Sequence, residues 1–481
     1  MDVARANGAA PSVPTQLQTS DPAAGTGALH RYLSWWRGFR ESSVNRRLFL
    51  AMLTVAGVTG VVKLAAIAKE MVIAAQFGAG DQIDAFVIAF LLPSFVIGVI
   101  SSAFHAAVIP TYVQVRDQDG PEAARELISN VTLWSCALLL TLTCVLALTA
   151  PAILPLIASK FGPGKLWLTQ TLFFFLLPLV VLSGFTTIWG AALNAEERFI
   201  FAAITPIATP ILIVLALFSV GGVVGIYALP AGMVIGGLIE AGLLTSRARR
   251  RGLWVMPRWR RVHPATRTVA KQFVTMVVGA FLMSSTAVVD LSMAAMLGPG
   301  SVATLNYGNR LVLFLLGFCS AAMSTVLLPH FSGMVARRDW VAVRDTLRTH
   351  LRWIALTTVP LTAVLIWLSV PITRLMFERG AFGAETTVLV GGIQALYLIQ
   401  IPFYLMSIVL VRLISSLKAN HLLMWGSAIS VVVNVTLNYA FMQWLGVRGI
   451  ALSTTVVYMV SFCFLSIVLS RLLKNAMADG A

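Results

Sequence analysis

Six ionisable residues stand inside long apolar stretches of this chain: Lys63, Lys69 and Glu70 in the first stretch, Asp84 at the head of the second, Asp290 in the seventh and Arg310 in the eighth. A charge placed in hydrocarbon is costly enough that it marks a function by default, or else pairs with a neighbour. Lys63 lies about 22 Å along a helix from the start of its stretch, at ~1.5 Å per residue, too deep for its ammonium to reach water easily. It is expected to face an aqueous cavity. Glu70 follows seven residues later on nearly the same helical face, so a Lys63–Glu70 or Lys69–Glu70 ion pair is the structural alternative. Arg310 lies about 14 Å into its helix, near mid-membrane. A guanidinium fork there suits phosphate oxygens, with pairing to Asp290 or Asp84 as the structural alternative. Asp84, Asp290 and Glu70 read either as ion-pair partners or as coupling carboxylates that take up a proton or sodium ion.

Other chemistry finds no support. The chain has no Walker A sequence, no HExxH, no Gly-x-Ser-x-Gly elbow and no metal-ligand spacing. No cofactor and no metal are expected, and a transporter is expected in place of an enzyme. Cys136, Cys144, Cys319 and Cys463 sit singly in apolar runs and read as small lipid-buried side chains, with no disulfide expected. His105, Glu240 and Arg412 lie nearer the ends of their runs, where a solvated or snorkelling role is ordinary. Asn194, Asn434 and Asn438 read as interhelical hydrogen-bonding residues, and Gly232-x-x-x-Gly236 as a site of close helix packing.

The elements that position these residues follow from composition. Of 481 residues 58% are hydrophobic and 11% charged, against about a quarter charged in a soluble globular chain. Apolar runs long enough to cross hydrocarbon, which takes about 20 residues, recur at 48–75, 83–112, 127–158, 166–194, 199–219, 225–246, 269–297, 301–333, 351–377, 384–416, 421–445 and 449–472. They are apolar all round, without the alternation of a membrane β-barrel. An all-α polytopic membrane protein of about 12 transmembrane helices is expected. The net charge of +16 could point to nucleic acid, but its placement reports topology instead: 25 Lys and Arg fall in the loops of one side and 4, namely Lys160, Lys165, Arg379 and Arg448, in those of the other. By the positive-inside rule both termini are cytoplasmic.

An internal repeat organises the runs. Gly78-Ala79-Gly80 leads into a run ending at Pro110, and Gly298-Pro299-Gly300 into one ending at Pro329, at offsets of 220 and 219. Gly222 and Gly225 open the sixth run as Gly446 and Gly449 open the twelfth. Two parallel six-helix repeats follow, with a substrate site expected between them near the midplane. The expected organisation is a disordered tail (1–46), an N-lobe (47–246), a basic linker (247–268), a C-lobe (269–473) and a second tail (474–481).

The stretch "KLAAIAKEMVIAAQFGAGDQIDAFVIAFLLP" at 63–93, with "SSAFHAAVIPTY" at 101–112, resembles the opening of the MurJ (MviN) lipid II flippases of the MOP superfamily. "GAALNAEERF" at 190–199, "YGNRL" at 307–311, "LLPHFS" at 327–332, "FERGAF" at 377–382 and "GVRGIALS" at 446–453 continue the resemblance in order. The resemblance implies a MATE-like, V-shaped two-lobed bundle in the bacterial inner membrane. It implies export of an undecaprenyl-diphosphate-linked saccharide by alternating access, with Lys63, Lys69 and Arg310 as cavity cations. Ile97-Gly98 stands where the family carries two arginines, and Asn309 where it carries an aspartate before Arg310. A Wzx-like flippase for an exopolysaccharide or O-antigen unit is the alternative, then an ion-coupled exporter or a non-transporting scaffold. The implied partners are the lipid-linked saccharide, membrane lipids and peptidoglycan or polysaccharide synthesis enzymes, with no nucleic acid. Membrane potential, proton or sodium would supply the drive.

Overall fold

Inside hydrocarbon a backbone N–H or C=O finds no water, and the α-helix satisfies each one within its own segment. The computed structural model describes residues 44–196, 199–250 and 264–478, and among these it contains helices and no strand. The twelve long helices are α1 (Val44–Phe77), α2 (Asp81–Asp119), α3 (Pro121–Ile157), α4 (Pro163–Ala195), α5 (Phe199–Ser219) and α6 (Gly221–Arg250), then α7 (Pro264–Ala295), α8 (Ser301–Ala336), α9 (Trp340–Trp367), α10 (Ala384–Ser416), α11 (Asn420–Leu445) and α12 (Val447–Ala478). A short helix, Ser369–Phe377, lies between α9 and α10.

Among the described residues eleven helices, α2 to α12, are long and apolar enough to cross a membrane. The remaining expected span, 48–75, falls within α1, which Lys63, Lys69 and Glu70 set apart in composition. Along α11 the exposed Trp425 and Trp444 stand about 28 Å apart at ~1.5 Å per residue, which matches the ~30 Å hydrocarbon core with an indole at each boundary.

The chain divides into two compact units, Met1–Gly57 and Val58–Ala481. The described part of the first, 44–57, is a stretch of helix; every site residue discussed below belongs to the second. The expected tail over 1–46 lies outside the described residues except for 44–46, which are helical. Of the expected linker, 251–263 also lie outside. Its flanks are helix, because α6 runs on to Arg250 and α7 begins at Pro264. Likewise α12 continues to Ala478, past the expected end at 473, since no Gly or Pro interrupts 471–478.

The sequence repeat is written into the backbone. α4 breaks at Leu177, before Pro178, and α10 breaks at Ile399, just before Pro402; the two breaks are 222 residues apart. A proline removes the N–H that would close the preceding turn, so a break beside one is expected. Gly225 and Gly446 share one positive-φ conformation, φ 58° with ψ −132° and φ 55° with ψ −133°. This corrects the register of the second glycine pair: Gly225, not Gly222, corresponds to Gly446, at an offset of 221, within two residues of the other two.

The Gly232-x-x-x-Gly236 motif packs within the chain. A Cβ on Gly232 would lie 2.7 Å from the Ile213 Cα, and one on Gly236 would lie 2.6 Å from the Thr209 Cα, so α6 and α5 touch backbone to backbone there. Gly242, on the same helix, has open space around it. Gly236→Val is therefore expected to destabilise the folded chain by about 1–3 kcal/mol through overpacking, read as a lowered unfolding midpoint in detergent. Gly242→Ala leaves that midpoint unchanged, and equal midpoints for the two variants would contradict the contact.

Candidate functional site: a cation-lined cavity and its seal

α1 and α8 face each other across a cavity of about 270 Å³ lined by Lys63, Ala66, Ile67, Lys69, Glu70, Arg310, Leu313, Phe314 and, from the short helix, Met376. The apolar lining comes from the helices' hydrophobic composition. The cations come from positions 63 and 69 of α1 and from position 310 of α8, and the one carboxylate from position 70, on nearly the same face of α1 as Lys63. Glu70 is buried, and one of its oxygens is shared: Lys69 Nζ lies 2.7 Å away and Arg310 Nη2 3.3 Å away. Arg310 thus pairs with Glu70, and neither with Asp290 nor with Asp84, because Glu70 is the carboxylate that α1 presents directly to α8.

Lys63 is exposed to the cavity and forms no ion pair among the described residues. Of the two pairings expected for Glu70 on α1, only the one with Lys69 forms. Arg310 Nε is buried and donates to no described acceptor, and Asn309 Oδ1 beside it is also without a partner. The lining therefore carries three cations against one carboxylate, with spare donors on Lys63 and Arg310. A low-dielectric pocket of net charge +2 attracts a multivalent anion and repels a cation. Its volume lies just below the ~300–1,000 Å³ usual for drug-sized ligands, enough for a diphosphate and too small for a saccharide beside it.

A second constellation fixes the position of α8 and closes one end of this cavity. Asp84, 1% exposed, accepts from the backbone N–H groups of Gly300 and Ala303, each at 2.7 Å. Its carboxylate thereby caps the N-terminus of α8, where orphan N–H groups and the helix dipole favour an anion. Lys165 of α4 donates to Asp84 at 2.7 Å and to Asp81 at 2.6 Å, with its ammonium 4.0 Å from the Phe161 ring centroid. Gly300 has φ 78°, and a Cβ there would run into the Ala79 carbonyl oxygen, so both conformation and space require glycine. The Tyr307 hydroxyl donates to the Gly78 carbonyl at 3.3 Å, and the Ala381 N–H to the Ala75 carbonyl at 2.8 Å. Tyr307 also packs on Phe377 and Phe382, which join Ile73, Ile83 and Ala303 in one buried cluster.

Asp290 does not line the cavity. It accepts from Asn434 at 2.9 Å, Asn438 at 2.7 Å and Thr454 at 3.1 Å, tying α7 to α11 and α12. Both asparagines serve the interhelical bonding expected of them. Of the six charges singled out in the sequence, the structure brings Lys63, Lys69, Glu70 and Arg310 together and leaves Asp84 and Asp290 in separate networks. Lys165 was counted only as a topological charge, although it is the main cationic partner of Asp84; nothing in its local sequence marks it.

This helical bundle has the fold of the solved MOP-superfamily structures. A solved structure of lipid II flippase MurJ in an inward closed conformation superposes with a TM-score of 0.75 at 21% identity, covering 89% of this chain and 91% of that one. An inward-facing multidrug resistance MATE transporter superposes with a TM-score of 0.72 at 14% identity, over 89% of this chain and 100% of that chain. Within that fold, the sequence matches the family described as lipid II flippase MurJ over residues 73–480, and the chain belongs to that family. The lipid II flippase MurJ of Burkholderia cenocepacia is 26% identical over 433 residues, covering 84% of this chain and 80% of its own length.

Asp84 and Asp81 share Lys165 but differ in exposure, the Asp81 side chain being 60% exposed. Asp81→Asn is expected to cost at most about 1 kcal/mol, as surface pairs do. Asp84→Asn breaks a buried pair and two charge-assisted caps, for about 3–5 kcal/mol. Thermal unfolding of the purified variants checks this, and equal losses would contradict the capping role of Asp84.

Proposed function

We propose that this chain is a flippase that carries lipid II, the undecaprenyl-diphosphate-linked peptidoglycan precursor, from the cytoplasmic to the outer leaflet of a bacterial inner membrane. The observation that supports this reading best is the cavity of α1 and α8, with three cations against one carboxylate in a chain of the MurJ family. The diphosphate binds at Lys63 and Arg310. It competes with Glu70 for the Arg310 guanidinium, whose fork matches phosphate oxygens. The saccharide lies outside the 270 Å³ space, and no bond of the substrate is made or broken.

The 25 to 4 asymmetry of loop cations sets both termini in the cytoplasm. The seal around Asp84, Gly300 and Ala381 then lies at the outer end, and the structure corresponds to a state closed outward. Alternating access follows when two six-helix lobes, 47–246 and 269–473, rock about the cavity and part that seal. Moving a diphosphate outward runs with the membrane potential, worth about 2.3 kcal/mol per charge per 100 mV. The potential thus favours export, less whatever part the charges of Lys63 and Arg310 cancel if they move with the diphosphate, and peptidoglycan synthesis enzymes are the natural suppliers and users of the cargo.

Complementation tests this reading. In a bacterium depleted of its lipid II flippase, the wild-type chain is expected to restore growth, while Arg310→Ala at equal protein level lowers flipping by about 10–100-fold, as loss of a charge-assisted contact worth ~1.5–3 kcal/mol requires. A well-expressed wild type that fails to rescue would overturn lipid II as the cargo and favour an exopolysaccharide carrier.

A further inference from the structure

Helix α9 changes character along a single line of its surface. Leu356, Val359 and Trp367 lie on that line and are all exposed, so it faces hydrocarbon. Followed toward the N-terminus at helical spacing, the line becomes Arg352, Arg348 and Arg344, each four residues from the next and each exposed. Val343 and Leu347, buried with Phe331 and Met334, lie about 140–180° round the helix from Arg352 and about 100–140° from Arg348, at ~100° per residue. Arg352 and Arg348 therefore lie within about 80° of Leu356 and Val359 at ~100° per residue, away from the packed helices, and Arg344 continues the ridge on the flank of that face.

None of the three has an ion pair among the described residues, although Asp345 adjoins Arg344. The neighbouring acid Asp339 is engaged as the N-cap of α9, accepting from the Ala342 N–H at 3.0 Å. From Arg352 to Arg344 the stripe rises about 12 Å along the axis at ~1.5 Å per residue, so starting at the hydrocarbon boundary it crosses one headgroup layer of ~5–7 Å and ends just beyond it. Trp353, exposed beside Arg352, marks the boundary as interfacial indoles do.

We propose that Arg344, Arg348 and Arg352 form a binding stripe for the phosphates of anionic phospholipids in the leaflet on the basic side of the membrane. Arginine forks engage phosphate bidentately, and the stripe adjoins acyl chains on the face that carries Leu356 and Val359. An acidic soluble protein would meet the cytoplasmic end of α9, whereas these side chains follow the lipid-facing line. Only the naming of the leaflet rests on the orientation proposed above; the lipid contact is tested apart from flipping.

The test is native mass spectrometry of the full-length chain, titrated with phosphatidylglycerol and, separately, phosphatidylcholine. The wild type is expected to prefer phosphatidylglycerol, and removing each arginine weakens that lipid about fivefold, the equivalent of ~1 kcal/mol per charge. The triple Arg→Gln variant thus loses about 100-fold, while the triple Arg→Lys variant, which keeps the charges, stays within tenfold of wild type. Arg267→Gln, an exposed arginine on α7, leaves binding unchanged. Single Arg348→Gln and Arg352→Gln variants carry the test should the triple variant fold poorly. Equal binding of both lipids by wild type, undiminished phosphatidylglycerol binding by the Gln variants, or an equal loss in Arg267→Gln would overturn the stripe.

Discussion

The cost of an uncompensated charge in hydrocarbon orders this structure. Each of the six charges of α1, α2, α7 and α8 singled out above is bound into a network or faces the cavity. Glu70 is shared by Lys69 and Arg310, Asp84 by Lys165 and the first N–H groups of α8, and Asp290 by three neutral donors. Only Lys63 is left to the cavity without a described partner. The site's charge is therefore what remains after internal compensation, and its sign selects the ligand: a pocket of net positive charge is built for an anion.

Two of these networks act on α8 from different places. At its N-terminus Asp84 fixes the start of the helix, and about 14 Å further on, at ~1.5 Å per residue, Arg310 meets Glu70. The seal and the binding cation share one rigid element. A displacement of α8 that breaks the Asp84 cap also moves Arg310 relative to α1, so under the proposed function opening one end of the bundle and releasing the anion are linked. Backbone contacts at Ala75 and Gly78 add to the seal without side-chain charges, leaving Asp84 and Lys165 as its electrostatic part.

Much of this was legible in the sequence. Helical class, the twelve runs and their repeat follow from apolar length and from glycine and proline positions, because hydrocarbon leaves the backbone few options. The cavity cations were legible for the same reason: Lys63 and Arg310 are conspicuous where charge is costly. Partner choice was not. Arg310 faces Glu70 because α1 and α8 meet across the cavity, and Lys165 reaches Asp84 from 81 residues away; both depend on tertiary arrangement that helical periodicity does not encode. The register of Gly225 with Gly446 needed φ angles, since neighbouring glycines look alike as letters. Helix ends near 250, 264 and 478 extended beyond the apolar runs because polar residues outside the bilayer continue a helix as readily as apolar ones.

The central claim, that Arg310 and Lys63 hold the anionic head of a lipid-linked saccharide during transport, is tested most directly by translocation of fluorescent lipid II in proteoliposomes under an imposed membrane potential. Wild type is expected to move lipid II to the side opposite the basic loops, Lys63→Gln and Arg310→Gln to slow it by at least tenfold, and Lys63→Arg to preserve it. Undiminished translocation by the two Gln variants at equal incorporation would contradict the account.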